Sequence, residues 1–145
     1  MKNNQLLYVL YGAENTGKTS TLRYLAQKLD KVATLTSGRI ECELDFSVTF
    51  KIKEKIVSIV TPGDNAEIIK EHLGLNDVPS SNIIICASRT RGQTTDFLWA
   101  NYTEEQLRWV NKMYVYLDDE KHINACNRSV AHFLFESLLL ELHTE

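Results

Sequence analysis

The sequence predicts an α/β fold, a mostly parallel sheet carrying one antiparallel hairpin and enclosed by helices, and three observations carry that reading. An unbroken apolar run, Leu6 to Tyr11, ends at Gly12. A strict alternation of apolar and polar residues runs from Leu44 to Ile52. Apolar faces of helical period follow Gly17 and fill the last stretch of the chain.

The run Leu6 to Tyr11 is apolar at every position, as in a strand covered on both faces. After Gly17, Leu22, Leu25, Ala26 and Leu29 recur at i, i+3, i+4 and i+7, which gathers them on one helix face. Thr34, Thr36, Ser37, Gly38 and Arg39 then form a polar connector suited to a mobile loop. From Leu44 the side chains alternate, so one face of this strand is polar; Lys53-Glu54-Lys55 is too short to join anything but antiparallel neighbours, and Ile56 to Val60 supplies the return strand. Pro62 and Gly63 stop that strand, and Asp64 or Asn65 caps a helix carrying Ile68, Ile69 and Leu73 up to Gly74. Ile83 to Ala87 is the next strand. Thr103 followed by Glu104 and Glu105 predicts a helix start with Leu107 and Val110 inward, and Met113 to Leu117 a last strand. Val130, Ala131, Leu134, Phe135, Leu138 and Leu142 predict a closing helix, whose wide apolar face also allows a homodimer or a protein partner.

A chain of 145 residues is the size of one domain, so residues 1–145 are expected to form a single unit. With 43% hydrophobic residues, 2 Pro and 6 Gly, the composition excludes disordered and collagen-like classes. A net charge of −3 lacks the bulk positive field of a nonspecific nucleic-acid binder, leaving only a local basic patch for such a role. Cys42, Cys86 and Cys126 are far apart with no CxxC pair, which predicts a reduced, cytoplasmic protein with Cys86 as a core residue. The N-terminal apolar run is far shorter than the roughly 20 residues of a membrane span, so no span is expected.

Gly12-Ala13-Glu14-Asn15-Thr16-Gly17-Lys18-Thr19 matches GxxxxGK(S/T), the Walker A pattern, between a hydrophobic strand and an amphipathic helix. A chain this long would match by chance about once in 200. Glycines let backbone come close to phosphate, and successive N–H groups with the helix N-terminus supply donors and positive potential. Lys18 would contact the β and γ phosphates, and Thr19 would place its hydroxyl on Mg²⁺, with Thr16 and Ser20 assisting.

On these residues the chain resembles the P-loop NTPase superfamily, which implies a three-layer α/β/α sandwich that binds MgATP or MgGTP. Its order of elements resembles the small-GTPase branch, in which a hairpin precedes the second nucleotide loop, here Val60-Thr61-Pro62-Gly63. Val60 stands where that branch has Asp, and the guanine-reading Asn-Lys-x-Asp pattern is absent, so ATP is the preferred nucleotide. The metal-supporting carboxylate is expected at Asp64, with Asp118 or Asp119, after Tyr114 to Leu117, as the alternative.

Ser88 to Thr95 begins where an inner strand ends, the edge at which open α/β sheets bind ligands. Arg89 and Arg91 could neutralise charge on a transferred phosphoryl group or clamp an anionic acceptor, and the Arg-Gly context also suits single-stranded nucleic acid. His72, His122, His132 and His143 share no spacing, and Trp99, Tyr102 and Trp109 read as packing residues. A water-activating base stays open among Glu14, Glu41 and Glu43. The expected activity is Mg²⁺-dependent hydrolysis of ATP. A small-molecule or nucleotide kinase with Arg39, Arg89 and Arg91 at its acceptor pocket, a GTPase switch and a noncatalytic nucleotide-dependent interaction module are the alternatives.

Overall fold

A computed structural model describes residues 4–13, 15–63, 65–75, 77–115 and 119–143. Strand β1 (Leu6–Tyr11) leads into helix α1 (Lys18–Asp30), then β2 (Thr34–Gly38), β3 (Ser47–Ile52) and β4 (Lys55–Val60). Helix α2 (Ala66–Leu73), a short 3-10 turn (Val78–Ser80), β5 (Ile83–Ser88), α3 (Gln93–Asn101), β6 (Leu107–Asn111) and α4 (Glu120–Leu142) complete the order. The strands form one six-stranded sheet in the order β2-β3-β4-β5-β1-β6. Strands β4, β5, β1 and β6 are parallel, while β3 runs antiparallel to both β4 and β2.

Helices cover both faces, and the period of two in the central strands separates them. Tyr8 and Leu10 of β1 with Ile85 and Ala87 of β5 meet Leu22, Leu25 and Leu29 of α1 and Val130, Leu134 and Leu138 of α4. Leu7 and Val9 with Ile84 and Cys86 meet Ile69 of α2 and Leu98 of α3. The three-layer α/β/α arrangement follows, because a strand without polar positions needs an apolar cover on each side. Asn65 caps α2, its side chain accepting the Ile68 N–H at 2.9 Å. Among the described residues no helix is long and apolar enough to cross a membrane.

Several expectations are corrected. Thr103 does not open a helix: its N–H donates to Gln106 Oε1 at 3.0 Å and its carbonyl accepts the Gln106 N–H at 3.1 Å, closing a single turn. Leu107 to Asn111 then forms β6, in register with Leu7 to Tyr11. Leu107 and Val110 satisfy a helical spacing, but β1 would otherwise lack backbone partners along one side, and that demand outweighs local preference. The helix on this side lies upstream, as α3. Met113 to Val115 are irregular rather than strand, and residues 116 and 117 lie outside the described set. The polar connector at Thr34 to Gly38 is an edge strand, paired with β3 through a register shift between Leu35 and Ser37. The alternating strand begins at Ser47, leaving Leu44 67% exposed. Of the aromatic set, Tyr102 is buried, whereas Trp99 is half exposed and stacks on Trp109 at 5.3 Å.

Burial pushes the Cys86 thiol up to about 12 and the Tyr102 phenol likewise to about 12, so Cys86 is a core residue rather than a nucleophile. Both groups keep their protons in the folded state at pH values where the unfolded chain releases them. Their contribution is therefore complete below pH 9.0, the ordinary thiol value, and is lost as pH rises toward about 12. The urea midpoint should fall between about pH 8 and about pH 10.5, and the fall should be smaller in Cys86→Ala. A flat midpoint across that range would contradict the buried thiol.

Candidate functional site at the carboxyl edge of the sheet

The parallel strands β4, β5, β1 and β6 all end on one edge, and the connections leaving them diverge there. Strand β1 passes to α1 on one face of the sheet, while its neighbour β5 passes to α3 on the other. Adjacent strands whose connections leave on opposite faces open a crevice between their carboxyl ends, the place where open α/β sheets bind ligands. The Gly12–Thr19 run leaves β1 at this crevice, and the Gly12 N–H donates to the Ser88 carbonyl at the end of β5 at 3.1 Å.

The run itself is a tight turn. Asn15 has φ 61° and Gly17 has φ 88°, both left-handed. Thr16 Oγ1 donates to the Ala13 carbonyl at 2.8 Å. Gly17 is the N-cap of α1 with no side-chain cap, and no acidic residue lies in the first helical turn. The positive end of the helix is therefore not offset by its own side chains. Lys18 folds back over the turn, Nζ donating to the Gly12 carbonyl at 2.7 Å and the Ala13 carbonyl at 2.9 Å. Ser20 lies in the same first turn. Glu14 lies outside the described residues.

Behind the turn stands α4. Asn127 is buried at 3% exposure, and a Cβ on Gly17 would come within 2.6 Å of its Oδ1. That oxygen has no hydrogen-bond partner among the described residues. Beside Gly12 lies Lys112, also buried, with Nζ on the Met113 carbonyl at 2.5 Å and 3.8 Å from Cys126 Sγ. Burial pulls the Lys112 ammonium below the usual lysine range, and the Cys126 contact opposes that shift.

A carboxylate overlooked in the sequence stands next to Thr19. Thr19 Oγ1 donates to Asp45 Oδ1 at 3.2 Å, and Thr61 Oγ1 reaches the same oxygen at 3.0 Å or the Phe46 carbonyl at 3.1 Å. Thr61 Oγ1 in turn accepts the Phe46 N–H at 2.8 Å, which ties the end of β4 to the start of β3. Arg23 of α1 holds the same segment, donating to the carbonyls of Glu41 at 2.5 Å and Leu44 at 3.1 Å. A metal-supporting acid is expected after a parallel strand. Asp45 precedes an antiparallel strand, whose beginning falls on the edge where the parallel strands end: Ser47 pairs with Val60. The signal was the hairpin, which reverses the direction of β3 and with it the end that faces the site.

Asp64, the expected metal ligand, and Asp118, one alternative, lie outside the described residues. Asp119 is the N-cap of α4: Oδ1 accepts the Lys121 N–H at 2.9 Å and Oδ2 meets His122 Nδ1 at 2.7 Å, contacts that hold its carboxyl below the usual range. The loop after β5 is fixed to its neighbours. A Cβ on Gly63 would collide with the Ala87 carbonyl, and Thr94 Oγ1 donates to the Gly63 carbonyl at 2.8 Å. The Arg89 carbonyl accepts from Ser88 Oγ at 2.9 Å and Thr95 Oγ1 at 3.0 Å. Arg89 is half-buried at this edge and Arg91 is exposed. Arg39 lies apart on an exposed stretch, 3.8 Å from Glu41.

Hard oxygen donors at Thr19 and Asp45 fit Mg²⁺, which is commonly held by one or two protein oxygens together with phosphates and water. Such a site needs no cluster of ligating residues, and among the described residues there is no group of three or more His, Cys, Asp or Glu suited to a metal. No known protein family matches the chain, nor does any curated protein or solved structure.

Gly17→Ala should destabilise the fold by about 2–4 kcal/mol, from the left-handed backbone and the collision with Asn127 together. The collision is the part that a second change removes. Gly17→Ala in an Asn127→Ala background should therefore cost less than in wild type, a coupling of about 1 kcal/mol or more in urea unfolding. Strict additivity would show that α4 does not press on the turn.

Proposed function

We propose that this chain is a member of the P-loop NTPase superfamily that binds and hydrolyses a nucleoside triphosphate with Mg²⁺, ATP in preference to GTP. The observation that carries this reading is the GxxxxGK(S/T) run at the crevice between β1 and β5, continuous with the uncapped N-terminus of α1. Backbone N–H groups of the turn and of the first helical turn would hold phosphate oxygens. Lys18, now bonded to carbonyls of the same turn, would exchange them for phosphate. Thr19 would hold the metal, with Asp45 and Asp64 as its carboxylate support. Magnesium, when bound, supplies positive charge to the phosphate oxygens. Arg89 and Arg91 would stabilise charge on the oxygens of the transferred group.

Base preference rests on the end of β6. Asn111-Lys112-Met113-Tyr114 begins like the guanine-reading pattern, but Tyr114 takes the place of the acid. A carboxylate accepts both donors of guanine's Watson–Crick edge, whereas a phenol offers one weak acceptor. Tyr114 therefore removes the carboxylate that would select guanine, which is the ground for proposing ATP rather than GTP.

Phosphate release from ATP and GTP, with and without Mg²⁺, tests this reading in wild type, Lys18→Ala and Asp45→Asn. Turnover should require Mg²⁺ and favour ATP. Lys18→Ala should lower kcat/KM at least about 100-fold, roughly 2.7 kcal/mol of transition-state stabilisation. Asp45→Asn should raise the Mg²⁺ concentration needed for half-activity about tenfold, since a neutral amide is a poorer ligand for a hard cation. Lys18-dependent nucleotide binding without phosphate release would replace hydrolysis by a kinase or a nucleotide-dependent interaction module. Folded Lys18→Ala protein that binds nucleotide as wild type does would overturn the site itself.

A further inference from the structure

An open groove of about 620 Å³ runs between α1 and α4 on the outer surface of their layer. Tyr24, Lys28 and Lys31 line it from the α1 side, and Ala125, Arg128 and His132 from α4. Among the described residues, none of those lining it is acidic. This concentration of positive charge lies on a chain of net charge −3. Packing does not call for it, because Leu22, Leu25 and Leu29 meet Val130, Leu134 and Leu138 beneath the groove and bury the helix contact without it.

Two of the cations lie over aromatic rings. The Arg128 guanidinium lies 5.9 Å from the centre of the Tyr24 ring, and Lys28 Nζ lies 5.5 Å from that of Phe135. Such contacts orient a side chain without cancelling its charge. His132 sits 3.5 Å from Glu136, so the uncompensated charge belongs to Lys28, Lys31 and Arg128.

We propose that this groove docks an acidic segment of a partner protein, its carboxylates paired with Lys28, Lys31 and Arg128. An extended or helical peptide fits between two helices. Single-stranded nucleic acid fits less well, since it binds by stacking bases on exposed aromatic faces, and the Tyr24 and Phe135 rings carry cations instead. The groove and the candidate site share α4: Asn127 packs against Gly17, and Arg128 of the same helix lines the groove.

Fluorescence anisotropy with the whole chain tests the proposal, using a fluorescein-labelled peptide of about a dozen residues rich in Glu and Asp, a Gln/Asn peptide of equal length and a labelled oligo-dT. The acidic peptide should bind and the neutral one should not. Raising salt from about 50 to about 300 mM should weaken binding at least tenfold. Lys28→Glu with Arg128→Glu should abolish it, with folding checked by thermal unfolding; should that pair unfold, Lys31→Glu at the exposed end of α1 should still weaken binding severalfold. No binding at low salt, or binding unchanged by charge reversal, overturns the proposal. Tighter, charge-reversal-sensitive binding of oligo-dT overturns the choice of partner.

Discussion

Strand β1 must be hydrogen-bonded along both edges and covered on both faces, and much of the molecule follows from that demand. Its backbone pairs with β5 on one side and β6 on the other. Its alternate side chains require α1 and α4 on one face and α2 and α3 on the other. A strand held on four sides has little freedom to move, so the chain leaving its end is anchored at one terminus. Helix α1 anchors the other. The Gly12–Thr19 turn is confined between two rigid elements, and an anion site gains from that arrangement because its donors are positioned before the ligand arrives.

The turn is also pressed from behind and bridged in front. Asn127 leaves no room for a side chain on Gly17, and Lys112 lies against Gly12. In front, Asp45 and Thr61 join the hairpin to Thr19 through a shared carboxylate oxygen. The same bonds that order the edge would have to adjust for a cation to enter between Thr19 and Asp45. Were a cation to enter there, its entry would be linked to the start of β3 and to the 61–63 turn that follows β4.

Helix α4 serves two surfaces. Its inner face completes the core, Asn127 meets the turn, and Arg128 and His132 look into the groove beside α1. One rigid helix therefore touches both the candidate nucleotide site and the candidate docking groove. A shift of α4 would be felt at each.

Much of this was legible in the amino-acid sequence. The apolar run before Gly12, the helical spacing of Leu22, Leu25, Ala26 and Leu29, the hairpin at Lys53-Glu54 and the GxxxxGK(S/T) run are local patterns, and local patterns are what a sequence states openly. Leu107 to Asn111 was misread because its spacing serves either a helix or a strand, and only the open edge of β1 decides between them. Asp45 was missed because its value depends on the direction of β3 relative to β4, which brings a residue before a strand to the edge where others end. The basic groove was invisible for a similar reason: Lys28 and Arg128 lie 100 positions apart in sequence and share a surface only when α1 packs on α4. The sequence by itself determined most of the periodic elements and the residue types of the turn, since both are written in neighbouring residues. Strand order, the carboxylate beside Thr19 and the charge between α1 and α4 were decided by tertiary structure, because each depends on residues that meet only after the sheet and its helices have packed.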